Sequence, residues 1–324
     1  MKEVYQMPGN SNLQMSKAGK TDEFYTQISL VENELKHYEK YFLDKVVFCN
    51  CDDPEYSNFW LYFQMNFYRL GIKKLISTHY DYDKPSYKME IIRNEREKGQ
   101  SGIQIGLPDY IKTPLEGNGD FRNDECIEIL KEADIVVTNP PFSLFREYVA
   151  QLIEYNKKFI IVGNQNNITY KEIFLLSQQG KIWTGYNSGH FWFRVPSDYE
   201  IKNTDFKMEA DGTKWRRMGN ICFFTNLDIE KRHEDLLLYK TYNSNDYPKY
   251  DEYDAIHIKK TEDIPCDYYG LMGVPISFIT KYNPEQFELV GLDRYIEDNP
   301  HYGRRFTING KEQYARILIR RVIK

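Results

Sequence analysis

The sequence predicts an α/β fold with a mostly parallel sheet, closed by an antiparallel hairpin and followed by a C-terminal region of different character. Three observations predict it. Short apolar runs alternate with amphipathic stretches from about residue 45 to residue 178, and such alternation implies right-handed crossovers and parallel pairing. After Gly180 the alternation stops, and two strand-like runs are joined by a polar excursion. Residues 134 to 142, Asp-Ile-Val-Val-Thr-Asn-Pro-Pro-Phe, drive a run suited to a buried parallel strand straight into a pair of prolines.

Taken in order, residues 1–20 are polar and mixed, so they read as a flexible segment and not as a signal peptide. Lys45 to Asn50 is a short apolar strand, followed by a turn at Asp52-Asp53-Pro54. A helix runs from about Ser57 to Leu70 and ends at Gly71, and Lys73 to Thr78 is the next strand. Residues 81 to 118 are polar and irregular. Asn123 to Lys131 reads as a helix and Ile135 to Thr138 as a strand. Leu144, Phe145, Tyr148, Val149, Leu152 and Ile153 recur at helical spacing, so Ser143 to Tyr155 forms a helix with Ser143 as its cap. Phe159 to Val162 is a strand and Tyr170 to Gln178 a helix.

His190 to Val195 and Asn220 to Thr225 are the hairpin strands, with Pro196 to Gly219 between them. Beyond Asn226 the chain is rich in Tyr, Asp and Lys. There Asn283-Pro284-Glu285-Gln286 predicts a capped short helix ended by Gly291. The alternation of Arg316 and Arg320 with Ile317 and Ile319 predicts an edge-like strand with one charged face. The domain division is residues 1–20, a flexible segment; 21–226, the alternating α/β domain with its hairpin; and 227–324, the C-terminal region of different character.

Composition narrows the function. The chain has 324 residues, 41% of them hydrophobic, enough for a sizeable core. No run of 18 apolar residues exists, so no membrane span is predicted. The five cysteines are scattered without a disulfide framework or a paired zinc motif, which suits a reducing cytoplasm. Cys49 and Cys51 lack a second pair and read as small residues at a strand end, so no metal is expected. A net charge of −5 argues against indiscriminate nucleic-acid binding but leaves room for a local basic face. From His301 to Lys324 seven basic residues, among them Arg304, Arg305, Arg320 and Arg321, stand against one acid, Glu312. Lys214, Arg216 and Arg217 flank Trp215 in a second cluster. A charge run is often just a solvated face. Beside a base-gripping motif, contact with phosphates is the better reading.

That motif is Asn139-Pro140-Pro141-Phe142. Two prolines cannot donate ladder hydrogen bonds and hold φ near about −65°, so the strand must end in a stiff tip. Asn139 Oδ1 and the Pro140 carbonyl can each accept one N–H of an exocyclic amine, while Phe142 stacks on the ring that carries it. The plain alternative is a strand ending in a proline turn.

Asn-Pro-Pro-Phe resembles the catalytic motif of S-adenosylmethionine-dependent amino-methyltransferases in the form associated with adenine N6. Thr21 to Gln27, Phe48 to Pro54, Gly273 to Ile276 and Asn283 to Glu288 are similar to segments of the EcoRI-type adenine-specific DNA methyltransferases. The resemblance covers the chain from about residue 20 to its end. It implies a Rossmann-like methyltransferase fold and S-adenosyl-L-methionine as cofactor. Phe24, Tyr25 and Thr26 match the N-terminal cofactor segment, with Gln27 in place of the usual Pro. Tyr25 would cover the methionine moiety, and Thr26 would donate to its carboxylate. Asp52, Asp53 and Pro54 match the loop after the first strand, where Asp would orient the ammonium. Ser57 and Phe59 replace the glycines usual there, which implies a modified pocket. Asp120 and Phe121 match the segment that meets the cofactor adenine; Asp81 is the nearest candidate for the ribose.

The resemblance implies site-specific methylation of a flipped-out adenine in double-stranded DNA, by a monomer. It also implies a restriction-modification setting, with a cognate endonuclease acting on the same site without direct contact. Phe223 or Phe224 would offer the flipped base a second face, or pack in the core. Two alternatives stay open: an amino-methyltransferase of RNA or protein glutamine, and a non-catalytic DNA-binding module with a degenerate methyltransferase fold.

Overall fold

The computed structural model describes residues 24–81, 85–93, 107–197, 199, 205–296, 299 and 301–323. The flexible segment 1–20, the motif residues Thr21 to Glu23 and residues 82–84 and 94–106 of the irregular stretch 81–118 lie outside the described residues. The chain divides into two compact units, residues 1–163 with 189–219, and residues 164–188 with 220–324.

The first unit begins with β1 (Tyr25–Thr26) and α1 (Ile28–Leu35). It continues through β2 (Val46–Cys49), α2 (Asn58–Asn66), β3 (Lys74–Thr78), β4 (Tyr87–Ile92) and β5 (Ile111–Pro114). Then come α3 (Asp124–Glu132), β6 (Ile135–Thr138), α4 (Phe145–Glu154) and β7 (Lys158–Asn164). The strands lie in the order β7-β6-β2-β3-β4-β5. The pairs β6–β7, β2–β6 and β2–β3 are parallel, whereas β3–β4 and β4–β5 are antiparallel. Every residue of β2 and β6 is buried, as strands covered on both faces require. Helix α4 buries Phe145, Tyr148, Val149 and Leu152, one stripe at helical spacing. Helix α3 carries Asp124 and Glu125 in its first turn and Lys131 in its last, matching the helix dipole.

Strands β8 (Trp183–Val195) and β10 (Lys214–Thr225) are hydrogen-bonded neighbours, so the hairpin runs well beyond the residues expected of it. Within the first unit β1 pairs antiparallel with the end of β8, Tyr25 opposite Arg194 and Thr26 opposite Phe193. A short β9 (Phe206–Met208) pairs with the start of β10.

In the second unit α5 (Lys171–Gln178) packs on a four-stranded sheet in the order β11 (Ile256–His257), β12 (Met272–Pro275), β16 (Arg316–Arg321) and β13 (Phe287–Leu292). Gln178 Nε2 donates to the Leu289 carbonyl at 2.8 Å. β14 (Thr307–Ile308) and β15 (Lys311–Glu312) form a small separate hairpin. Among the described residues no helix is long and apolar enough to cross a membrane.

Four local expectations give way. The stretch 81–118 holds β4 and β5; their apolar residues Met89 and Ile91 alternate with Lys88 and Glu90, and Glu90 is bridged by Lys74 and Lys88 at 2.8 and 2.9 Å. Such cross-strand ion pairs make a strand look polar in sequence. Ser143 does not cap α4: it lies inside a 3₁₀ turn, Phe142–Leu144, and the helix begins at Phe145. No helix follows Asn283. Its Oδ1 accepts from Glu285 N at 2.8 Å in an Asx turn, and the alternating burial of Phe287, Glu288 and Leu289 carries the chain into β13. Finally, β16 is not an edge strand. It is paired on both sides, by β12 and β13, and Arg316 is buried at its start while Arg320 is exposed at its end.

Candidate active site

The site forms at the carboxyl ends of the parallel strands β6, β2 and β3, where open α/β sheets bind ligands. Asn139 follows β6 and is only 6% exposed. Its Nδ2 donates to the Phe24 carbonyl, so its Oδ1 must present acceptor lone pairs. That Oδ1 is buried and has no partner. Pro140 is buried as well, and Pro141 holds φ −54° and ψ 124°. The tip is therefore stiff, as expected, but Phe24, just before β1, packs against it, and Asn139 and Pro140 are buried instead of protruding. Phe142 is half-buried; its ring stacks on Phe24 at 5.9 Å and 18° and meets Phe193 edge-on at 6.1 Å.

The segment Phe24-Tyr25-Thr26 is buried throughout. Asn58 Nδ2 at the start of α2 holds the Thr26 carbonyl at 2.7 Å, while Thr26 Oγ1 is buried without a partner. The turn after β2 is bonded internally. Ser57 Oγ donates to Asp52 Oδ2 at 3.1 Å and also accepts from Phe59 N at 3.3 Å, capping α2. A serine in the place of a glycine thus ties the aspartate to the helix start.

Asp53 Oδ1 accepts from Glu55 N at 2.9 Å and from the Tyr87 hydroxyl at 2.6 Å. His79 stacks on Tyr87 at 4.9 Å and lies 3.6 Å from Asp53 Oδ2. Burial pushes the Tyr87 phenol well up, and the Asp53 bond adds to this, so Tyr87 stays a donor. Burial also raises the Cys49 and Cys51 thiols, with Asp52 adding to both, which leaves neither as a ready thiolate nucleophile.

Gly119 lies at φ +79°, and a Cβ there would come within 1.8 Å of the His79 carbonyl oxygen. Only glycine lets this loop close against the end of β3. Asp120 follows. Arg122 grips its carboxylate through the backbone N at 2.9 Å, Nε at 2.8 Å and Nη2 at 2.6 Å. Burial pushes the Asp120 carboxyl up, but the Arg122 bonds outweigh it and hold the group below the usual carboxylate range. Phe121 is buried and meets the Tyr148 ring edge-on at 5.0 Å. Asp81 N bonds to the Asn118 carbonyl at 2.9 Å, joining the two loops.

Sequence reasoning missed Asn58, Ser57, Tyr87, His79 and Arg122 as supports. Tyr87 meets Asp53 from 34 residues away and Asn58 meets Thr26 from 32, so no local spacing reveals them, whereas Ser57 with Asp52 and Arg122 with Asp120 are local pairs, 5 and 2 residues apart. Phe223 and Phe224 are almost fully buried, which makes them core residues.

The basic residues are scattered in environment. Lys214 donates to the Ser197 and Tyr199 carbonyls, and half-buried Arg216 donates to the Tyr199 hydroxyl. Exposed Arg217 lies 3.8 Å from Asp205. In the second unit Arg304 is exposed and Arg305 half-buried. Arg320 is exposed, 3.8 Å from Glu288, and Arg321 donates to the Cys266 carbonyl and lies over the Tyr269 ring.

A Rossmann-like α/β enzyme with a buried, unpartnered acceptor at the end of a parallel strand is what this fold and site define. The sequence matches the family described as the EcoRI adenine-specific methyltransferases over residues 12–322. It is 48% identical to the type II methyltransferase M.EcoRI of Escherichia coli, covering 96% of each chain. It is 38% identical to the type II methyltransferase M.MgeORF184P of Mycoplasma genitalium, over 94% of this chain and 97% of the other. With M.MpnI of Mycoplasma pneumoniae the identity is 35%, over 94% and 96%. No solved structure matches. The chain belongs to the EcoRI family of adenine-specific methyltransferases.

Proposed function

We propose that this enzyme transfers a methyl group from S-adenosyl-L-methionine to N6 of an adenine flipped out of double-stranded DNA. It would act as the modification enzyme of a type II restriction-modification system, in the cytoplasm and as a monomer. In this reading residues 21–226 are catalytic and 227–324 recognise the target. The observation that carries it is the orientation of Asn139. With Nδ2 committed to the Phe24 carbonyl, Oδ1 is a buried acceptor waiting for a donor beside the Pro140 carbonyl.

An adenine amine is a poor nucleophile because its lone pair is delocalised into the ring. Asn139 Oδ1 and the Pro140 carbonyl accept its two protons, draw the nitrogen towards tetrahedral geometry and localise that pair. Pro141 fixes the backbone between them and Phe142, so the contribution is mainly orientation. Flipping costs a few kcal/mol of lost stacking and pairing, offset in part by the aromatic surface of Phe142.

The residues present fit the proposed donor. Thr26 Oγ1 is an unfilled hydroxyl beside a carbonyl already held by Asn58, and the aspartates of the β2 turn supply charge for an ammonium. Phe24, Tyr25, Thr26, Asp52, Asp53, Pro54, Asp120 and Phe121 would hold it. S-adenosyl-L-methionine supplies the electrophilic methyl group. Around it Ser57 orients Asp52, and Tyr87 orients Asp53.

Base-resolved mapping of plasmid DNA after incubation with the enzyme and donor tests the activity, with modified adenines at one recurring sequence as the expected result. Calorimetric titration of Thr26→Val and Asp53→Ala with the donor tests the pocket. Weakened binding in both is expected, and unchanged affinity in both would place the donor elsewhere.

A further inference from the structure

The second unit contains a cavity of about 590 Å³ that the methyl-transfer chemistry does not use. Its lining includes Lys259, Asp293, Arg294, Arg305 and Arg316. β16 delivers Arg316 and the end of β13 delivers Asp293; the two segments are joined by the bond from Asp293 N to the Arg316 carbonyl at 3.1 Å.

The polar groups here are unfinished. Arg316 is 7% exposed and Asp293 2% exposed. Arg294 Nε, Arg305 Nε, Arg316 Nε and Asp293 Oδ2 are all buried without a partner. Among the described residues none of the three arginines forms an ion pair, with Asp293 or with any other carboxylate. Arg316 Nη1 reaches the Ala315 carbonyl at 3.2 Å, and Asp293 Oδ1 accepts from Arg294 N at 2.9 Å. Asp293, whose carboxyl burial raises and the Arg305 and Arg294 guanidiniums pull down, is one negative charge among several cations. Buried charge left uncompensated is costly, and a ligand that brings further negative charge offsets that cost.

The charges select the ligand. Four cations and one carboxylate line this part of the cavity, in a chain whose overall charge is −5. An anion fits. A cytosine edge fits less well, because reading its amine would need an exposed acceptor and Asp293 Oδ2 is sealed from solvent. Guanidinium forks match the oxygens of a phosphate in a bidentate way. Tyr295 and the exposed Tyr314 also line the cavity and give room and ring surface for the sugar beside such a phosphate.

We propose that this cavity holds a phosphodiester of the DNA strand, clamped by Arg294, Arg305 and Arg316 with Lys259 at its mouth. The proposal rests on the DNA-methyltransferase reading and adds a specific anchoring site to it. Arg305 and Arg316 were both legible in the sequence as parts of the basic run from His301 to Lys324. Arg294 and Lys259 lie outside that run and meet them only in the fold.

The test uses the full chain, a fluorescent 30-base-pair duplex containing the mapped target and a second duplex of scrambled sequence. Arg294→Gln and Arg305→Gln, which lie nearer the surface than Arg316, should each weaken binding on the order of tenfold, about equally for both duplexes. Each should also flatten the dependence of log K on log salt by about 0.9. Donor affinity, measured by calorimetry, should stay at the wild-type value, which shows that the variants are folded. Unchanged duplex binding overturns the proposal. So does a loss confined to the target duplex, which would mean base reading. Inorganic phosphate or dAMP binding that depends on these arginines, with duplex binding unaffected, assigns the cavity to a free ligand and overturns it too. Failure of the methyltransferase reading shows separately, as a wild-type enzyme that marks no adenine.

Discussion

The tip after β6 and the cavity of the second unit both hold buried polar atoms without partners, yet the two are built differently. At the tip the unfilled atom is Asn139 Oδ1, a neutral acceptor whose orientation is set by one bond to the Phe24 carbonyl. In the cavity the unfilled atoms belong to three guanidiniums and a carboxylate. A neutral orphan costs about 1–3 kcal/mol, and a charged one more. The tip can therefore wait for its substrate as a rigid element. The cavity carries a larger penalty, relieved by a charged ligand or by a change in protonation.

The sharpest test of the tip is Asn139→Ala. Loss of one member of an active-site electrostatic clamp costs about 10²–10³ in rate. Methyl transfer followed with a radiolabelled donor should fall by that much, while donor binding by calorimetry stays near wild type. Near-normal turnover would remove the distinction between the two regions.

The next effect lies in the cavity. Burial raises the Asp293 carboxyl to about 6, against backbone bonds and nearby arginines that lower it. A raised carboxylate means that the folded state holds its proton more tightly than the unfolded chain does. Its ionisation therefore costs native stability as pH rises from about 4 to about 6, reaching ~3 kcal/mol above that window. Asp293→Asn should be more stable than wild type by up to that amount at pH 8 and little different at pH 4, read by urea denaturation at both. An equal effect at both pH values would mean that the buried charge is not the cause.

Smaller still is Tyr87→Phe, which removes the 2.6 Å bond to Asp53. A single hydrogen bond to a charged group is worth about 1.5–3 kcal/mol at most, and bulk water can replace part of it. Donor affinity should fall severalfold, with the single-turnover rate at saturating donor nearly unchanged. A drop in that rate instead would move Tyr87 from positioning to chemistry.

The least effect is expected from neutralising Arg320 and Arg321 together. Arg321 is already committed to the Cys266 carbonyl and the Tyr269 ring, and Arg320 faces Glu288. Their loss should weaken duplex binding less than Arg305→Gln does, measured in the same salt titration. A larger loss would transfer the anchoring role from the cavity to the end of β16.

How much was legible differs between these sites. Asn139 to Phe142 could be read directly, because two prolines and a strand's worth of β-branched residues constrain the backbone locally, wherever the chain is placed. The parallel core was legible for the same reason: Val46–Cys49 and Ile135–Thr138 are short continuous apolar runs with helices between. β4 was not, since its Lys88 and Glu90 are satisfied by ion pairs that include Lys74 of β3. Nor was the turn at Asn283, where an Asx turn and a helix cap use the same residue in the same way for the first three positions.

By itself the sequence determined the periodicities, the stiff tip with its Asn-Pro-Pro-Phe side chains, and the order of strands and helices that makes a parallel sheet. Each of these is set by torsions and by contacts between near neighbours. Tertiary structure alone decided that Phe24 meets the tip and turns Asn139, that Tyr87 holds Asp53, and that Arg316 is buried in a central strand beside Asp293. Those features depend on which distant segments pair and on what burial does to a charge. Neither quantity is carried by the spacing of residues along the chain.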